Sequence, residues 1–198
     1  MHARIAALAI ATVALSHASA PPKLPYLDWK ACPFEGCTYR RWIAQAPVNV
    51  YDDFKERRHR IAVLSKGEAV TGITGVVITL RPGVIRMDRD VRDQNLHAGD
   101  KILTYTYQGE GYSAVWFGGN FYPSFDISFA KWPDGAGCGG AHCAATYIDL
   151  GEKIWWAKIK LKSGRTGWVN MSRAKFDGTD SLAREKPASF SATPCSVS

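Results

Sequence analysis

The sequence predicts an all-β fold, and three observations lead to that prediction. Residues 155–162 alternate between apolar and polar side chains with a period of two, which is typical of a half-buried β-strand. The chain has 18 glycines and 10 prolines among its 198 residues, and 12% of its residues are aromatic. Its short apolar runs are separated by turn-forming residues, which favours many strands over helices.

The alternating stretch predicts a hairpin with the segment that follows it. Its apolar face carries Trp155, Ala157, Ile159 and Leu161, and its lysine-bearing face carries Trp156, Lys158, Lys160 and Lys162. Ser163 and Gly164 favour a turn. A two-residue loop at that turn places Ile159 opposite Trp168, so Trp168 is predicted to join the apolar, buried face. Trp156 shares its face with three lysines and is therefore predicted to be exposed.

Further strands are predicted along the chain in order. They cover residues 48–51, 61–64, 69–79 with bulges at Gly72 and Gly75, 84–91, 102–107, 112–117 and 121–122. Turns are expected at 65–68, 81–83, 108–111, 118–120 and the glycine-rich 135–140 within a loop-like 123–150. We interpret 21–46 as an irregular arm, the mixed-charge run 52–60 as a solvated loop, and 173–198 as a tail that is disordered beyond Leu182.

The first 20 residues have the pattern of a secretory signal peptide. Arg4 precedes an apolar stretch at 5–15 that is too short to span a bilayer, and small residues offer cleavage sites after Ala18 or Ala20. No later apolar run is long enough for a membrane helix. The sequence therefore predicts an exported protein, periplasmic or extracellular, whose mature chain has no membrane span.

Export makes disulfides permissible, and the chain has five cysteines. Two couples have the same spacing, so the simplest scheme pairs Cys32 with Cys37 and Cys138 with Cys143, although sequence alone leaves the connectivity open. Cys195 is the odd cysteine, either free or bonded to another molecule.

The formal net charge of +7 favours solubility first, and also a loose attraction to anionic surfaces. Because the basic residues are scattered among acidic ones, nucleic acid is not an expected partner. The chain has neither a His-Glu-x-x-His zinc motif nor a Gly-x-Ser-x-Gly nucleophile motif. A zinc site built from Cys138, His142 and Cys143 lacks a clear fourth ligand. We therefore expect no catalytic residues, no metal and no cofactor.

Three short motifs, in the order in which they occur along the chain, resemble those of bacterial SH3-like domains. Val-Asn-Val at 48–50 resembles the opening strand, and Leu-x-x-Gly-Glu-x-Val at 64–70 resembles the next segment. Ser-Gly-Arg-Thr-Gly-Trp-Val at 163–169 resembles the closing motif and is the most specific of the three. The resemblance implies an SH3-like barrel over 47–172, interrupted at about 83–150.

The interruption admits two interpretations. It is either a large inserted hairpin region in one barrel or part of a second SH3-like unit, intertwined or tandem. The Leu-x-x-Gly-acid turn at 64–68 recurs at 96–100, which supports the second interpretation.

The resemblance implies an exported, non-catalytic binding module of the cell envelope whose partner is a cell-wall polymer, such as peptidoglycan, or a peptide segment of an envelope protein. It also implies that Tyr51 and the loop 52–60 lie where SH3-like domains commonly meet peptides. Two alternatives stay open: a cell-wall hydrolase whose acid and base residues cannot be placed, and a protein–protein adaptor that uses its barrel edges.

Aromatic side chains supply the remaining candidate ligand contacts. If Tyr107 pairs with Tyr112, one face collects several aromatic rings, which suit a sugar or a peptide if exposed and form core if not. The predicted ligand-binding residues are Tyr51, Tyr105, Tyr107, Tyr112, Trp116, Trp156, Lys158 and Lys160.

Overall fold

The computed structural model describes residues 20–135, 137–138 and 143–183, and it confirms the all-β prediction. The predicted signal segment up to residue 19, His142, Cys195 and the tail beyond 183 lie outside the described residues. The described strands are β1 (Tyr26–Trp29), β2 (Arg41–Ala44), β3 (Val48–Tyr51), β4 (Arg60–Leu64), β5 (Ala69–Arg81), β6 (Gly83–Met87), β7 (Lys101–Gly109), β8 (Tyr112–Phe117), β9 (Asn120–Asp126), β10 (Ala130–Lys131), β11 (Ala145–Asp149), β12 (Glu152–Lys160), β13 (Thr166–Asn170) and β14 (Phe176–Asp177). One short 3-10 helix spans Arg92–Gln94.

The strands form two curled sheets, and the first is organised around the 13-residue strand β5. Its order is β14-β2-β5-β12-β13-β3-β4, and β1 also pairs with β5. β12 pairs with most of the length of β5. On β5, the N-terminal end also pairs with β2, and the C-terminal part also pairs with β1. The bulge predicted near Gly72 is present, because Ile73 is the extra residue between two ladder pairs.

The arm predicted to be irregular, 21–46, thus contains two strands, β1 and β2. Each has four residues, which is too short for an alternating pattern to stand out. Their ladder partners lie in β5, distant in sequence, so the short arm gains its strand structure from tertiary pairing.

The second sheet has the order β10-β11-β6-β7-β8-β9. All six strands lie between β5 and β12, within the segment predicted as an interruption. Only Pro82 separates β5 from β6, so the predicted turn at 81–83 carries the chain from one sheet into the other. The stretch 123–150, predicted as a loop, contains β10 and β11 as well.

Each sheet has its own core. The first contains Trp42, Ala44, Val48, Val50, Leu64, Val70, Ala157, Ile159, Val169 and Phe176. The second contains Ile85, Met87, Leu96, Ile102, Val115, Ile127, Ala130, Ala144, Ala145 and Tyr147. A smaller third cluster contains Phe54, Val76, Trp156 and Trp168. Both faces of β12 are therefore buried.

Both predicted cysteine couples are paired within disulfide distance. The Cα atoms are 5.5 Å apart for Cys32 and Cys37, and 5.2 Å apart for Cys138 and Cys143. Among the described residues, no helix has the length and apolar character needed to cross a bilayer. The two cysteine pairs are compatible with an exported protein.

The start of the predicted tail is folded onto the first sheet. Phe176 in β14 is buried, and its ring lies 5.6 Å from the ring of Trp42. Asp180 forms an isolated bridge with Cys37. Residues 173–183, the described part of the predicted tail, are therefore folded, because Phe176 anchors this polar stretch to the core.

Charged side chains gather where the chain returns from the second sheet to the first. Arg81 pairs with Asp149, and the Asp149 carboxylate also accepts a hydrogen bond from the Gly151 N–H at 2.8 Å. Both contacts hold the pKa of Asp149 below its usual range, with the backbone contact the stronger cause. Lys153 donates to the carbonyl of Leu150 at 2.8 Å, and burial lowers the pKa of its ammonium to about 8.

Replacing Lys153 with methionine is expected to raise the free energy of unfolding at pH 7 by about 1–3 kcal/mol. The folded-state pKa lies below the ordinary value of 10.5, so the unfolded chain binds more protons between about pH 8 and 10.5. Lys153 should therefore destabilise the wild-type protein less and less as the pH rises across that window. Above the window, the methionine variant should no longer be the more stable of the two proteins. Urea titrations at pH 7 and 10.5 measure this; an advantage of equal size at both pH values would contradict it.

Candidate functional site

The register of the β12–β13 hairpin determines which side chains face the site. The connecting loop spans 161–165 rather than two residues, and Leu161 N–H donates to the Arg165 carbonyl at 2.8 Å. Lys158 therefore lies opposite Trp168, and Ile159 lies opposite Gly167. The predicted register was wrong by one residue. Trp168 is buried as predicted, but it shares the face of Trp156 and Lys158.

Trp156 is only 3% exposed, so the prediction that it is exposed was wrong. The loop 52–60, predicted to be solvated, folds over the lysine-bearing face of β12. It places the guanidinium carbon of Arg58 4.9 Å from the Trp156 ring and 5.4 Å from the Tyr51 ring. It also inserts Phe54, whose ring lies 4.8 Å from that of Trp168. Trp156 thus lies buried under Arg58, where it supports the side chains around Tyr51 and does not form part of the surface.

The predicted aromatic face on β7 and β8 does not form a single surface. Bulges in the ladder pair Tyr107 with Ser113 and Gly109 with Tyr112. Tyr105 is 1% exposed, and its ring lies 5.1 Å from that of Tyr26. Tyr107 lies instead beside Trp132, at 6.2 Å between rings. The bulges turn the two tyrosines to opposite sides of the sheet.

The other members of the predicted set are also dispersed. Tyr112 is exposed, while Trp116 is partly buried and pairs with Phe121 of β9. Lys160 is exposed at the end of β12, opposite Thr166. Lys158 is partly buried, with its ammonium 5.9 Å from the Trp168 ring. Of the eight predicted residues, Tyr51, Trp156 and Lys158 belong to one region of the first sheet.

Within that region a cleft opens beside Tyr51. β3 and β13 pair at a single position, Tyr51 opposite Trp168. Beyond this pair a cavity of about 150 Å³ lies between β3 and the turn after β13. It is lined by Pro47, Val48, Asn49, Tyr51, Asn170, Arg173 and Ala174.

Hydrogen bonds hold one wall of this cleft and the loop next to it in place. After β13, the Asn170 side-chain oxygen accepts from the Ser172 N–H at 3.0 Å, and the Asn170 carbonyl accepts from the Ala174 N–H at 3.0 Å. This turn fixes Arg173 at the rim. In the loop that follows β3, the Asp52 carboxylate accepts from the His59 N–H at 2.8 Å, which closes the loop that carries Arg58. That bond is the main reason why the pKa of Asp52 is lowered.

Sequence reasoning missed Asn49, Arg58, Asn170 and Arg173. Asn49 and Asn170 occupy polar positions in otherwise apolar strands, which indicates an outward face and nothing more. Arg58 belongs to a run of charges with no periodicity. These four residues lie close together because of how β3, β13 and the loop 52–60 pack against one another. No local sequence pattern contains that information.

A larger cavity of about 400 Å³ lies in the second sheet. Eight described residues line it: Tyr107, Gly111, Ile127, Ser128, Ala130, Trp132, Gly137 and Cys138. It shares only Tyr107 with the predicted ligand-binding set.

The described residues contain no group of three histidine, cysteine, aspartate or glutamate side chains placed to hold a metal ion. Comparisons with protein-family models, with characterised proteins and with solved structures find no match to this chain.

Proposed function

We propose that this protein is an exported, non-catalytic binding module of the cell envelope, of the SH3-like kind, which holds a peptide segment of the cell wall in the cleft beside Tyr51. The observation that carries the proposal is the separation of β3 from β13 beyond the Tyr51–Trp168 pair. An opening between two strands offers an extended ligand both side-chain and main-chain partners.

The lining of the cleft suits a peptide with free carboxylates. The Tyr51 ring supplies apolar area, and its hydroxyl can hydrogen-bond. Asn49 and Asn170 carry amides, which donate and accept as a peptide backbone requires. Arg173 at the rim provides a planar donor for a carboxylate. The net charge of +7 would draw an acidic wall polymer toward this surface.

Export and envelope location rest on separate support. The signal-like first 20 residues come from the sequence, and the two paired cysteine couples fit an oxidising compartment. The SH3-like assignment rests on the motif at 163–169, whose second half forms β13 beside the cleft.

The Arg173→Glu variant is expected to bind purified cell-wall sacculi at least about tenfold more weakly than wild type, because one charge-assisted hydrogen bond is lost and a repulsive charge is added. Co-sedimentation across a range of wall concentrations measures this. Arg165→Glu is the matched control, since Arg165 is exposed in the 161–165 loop and does not line the cleft.

The control separates local recognition from general attraction. Equal weakening by both variants would show that net charge alone drives binding. Wild-type protein that fails to sediment with the wall would exclude a wall ligand, and a stable protein partner recovered by crosslinking in that case would favour the adaptor alternative.

A further inference from the structure

The cavity of the second sheet has the size of a small-molecule site. Its volume of about 400 Å³ falls within the range of about 300–1,000 Å³ that such pockets occupy. Two of its walls are glycine backbone at positive φ, +80° at Gly111 and +100° at Gly137. A Cβ atom at Gly111 would lie 2.9 Å from the Cβ of Ser128, and one at Gly137 would lie 2.9 Å from Cδ1 of Trp132. Only glycine permits these close approaches of the backbone.

Trp132 provides an aromatic platform in this cavity. Its ring stacks on Tyr147, with centroids 4.6 Å apart and planes inclined by 21°. Tyr147 is buried in the core of the sheet, and burial raises the pKa of its phenol to about 12. The ring on which Trp132 stacks is therefore uncharged at neutral pH. Tyr147 covers one face of the indole, and Trp132 also lines the cavity.

The polar groups around the Trp132 ring carry no formal charge. The Tyr107 hydroxyl accepts a hydrogen bond from the Gly111 N–H at 3.2 Å. The same hydroxyl carries a proton that it can donate to a ligand. Ser128 adds a second hydroxyl. None of the eight described lining residues is charged at neutral pH. These described residues offer a ligand hydroxyl groups and no side-chain charge, and a purely apolar ligand would strip water from the two hydroxyls.

We propose that this cavity is a second binding site, independent of the cleft beside Tyr51, and that it takes a neutral sugar ring stacked on Trp132. A sugar combines a C–H face, which packs against an aromatic ring, with hydroxyls at its rim that meet Tyr107 and Ser128. Cys138, which lines the cavity, is paired with Cys143.

Isothermal titration with N,N′-diacetylchitobiose and with cellobiose tests the proposal on the full mature chain. Wild type is expected to bind at least one of the two saturably. Ser128→Tyr fills the cavity and should weaken that binding at least tenfold. Ser124→Tyr is the matched control, because Ser124, in β9, is also exposed but lies outside the cavity, and this variant should bind as wild type does.

Three results would overturn the proposal: no saturable binding of either disaccharide by folded wild type, unchanged affinity in Ser128→Tyr, or equal weakening in Ser124→Tyr. If Ser128→Tyr does not fold, Trp132→Leu decides, since retained affinity without the indole rules out stacking. Arg173→Glu should leave disaccharide affinity unchanged. A loss there would place the sugar in the other cleft and contradict the proposal of a second site.

Discussion

Replacing Trp42 with alanine is expected to lower the free energy of unfolding by about 3–5 kcal/mol. Trp42 has no exposed surface and lies at the centre of the first core. Its ring is 5.6 Å from the rings of both Tyr39 and Phe176, and its indole N–H donates to the Thr38 carbonyl at 3.0 Å. Truncation leaves a cavity and detaches β14, so a large share of a typical domain stability is lost.

The matched control for this prediction is Trp29→Ala. Trp29 is 54% exposed at the end of β1 and touches Phe54 at 5.4 Å between rings. Its loss should cost less than about 1 kcal/mol. Urea denaturation followed by circular dichroism measures both variants. Comparable losses for the two would show that Trp42 is not the centre of the core.

Replacing Trp156 with alanine is likewise expected to cost about 3–5 kcal/mol, because this residue is buried beneath the loop 52–60. Its ring contacts Tyr51 edge-on at 5.8 Å, and Arg58 covers it. The alanine variant should therefore weaken wall binding through loss of structure around Tyr51. Denaturation and co-sedimentation of the same preparation measure the two effects together.

Trp156→Phe distinguishes support from direct contact. Phenylalanine keeps most of the packing, so the cost should be below about 2 kcal/mol and wall binding should persist. A Trp156→Ala protein that is as stable as wild type yet fails to bind would mean that the indole touches the ligand, contrary to its burial.

Local patterns in the sequence were sufficient for several of the strands and for the cysteine couples. The alternation at 155–162 predicts β12, and the short run at 112–117 matches β8 residue for residue. The bulge near Gly72 and the pairing of each cysteine couple were also predicted. In each case the information lies within a few neighbouring residues.

The site was less predictable because it depends on register and on contacts distant in sequence. A two-residue and a five-residue loop are both compatible with the pattern around Ser163, yet they place Trp168 on opposite faces. Bulges in β7 separate Tyr105 from Tyr107 for the same reason. Trp156 was predicted to be exposed because three lysines share its face, and only the fold of the Arg58 loop buries it.

The most direct test of the peptide-binding cleft is a nuclear magnetic resonance titration of the labelled mature protein with a soluble peptide carrying free carboxylates, of the kind found in cell-wall stems. The account predicts saturable shifts confined to the amides of Asn49, Tyr51, Asn170 and Arg173, with the second sheet unperturbed. Shifts concentrated elsewhere on the surface, or no saturable shift at millimolar peptide, would contradict it.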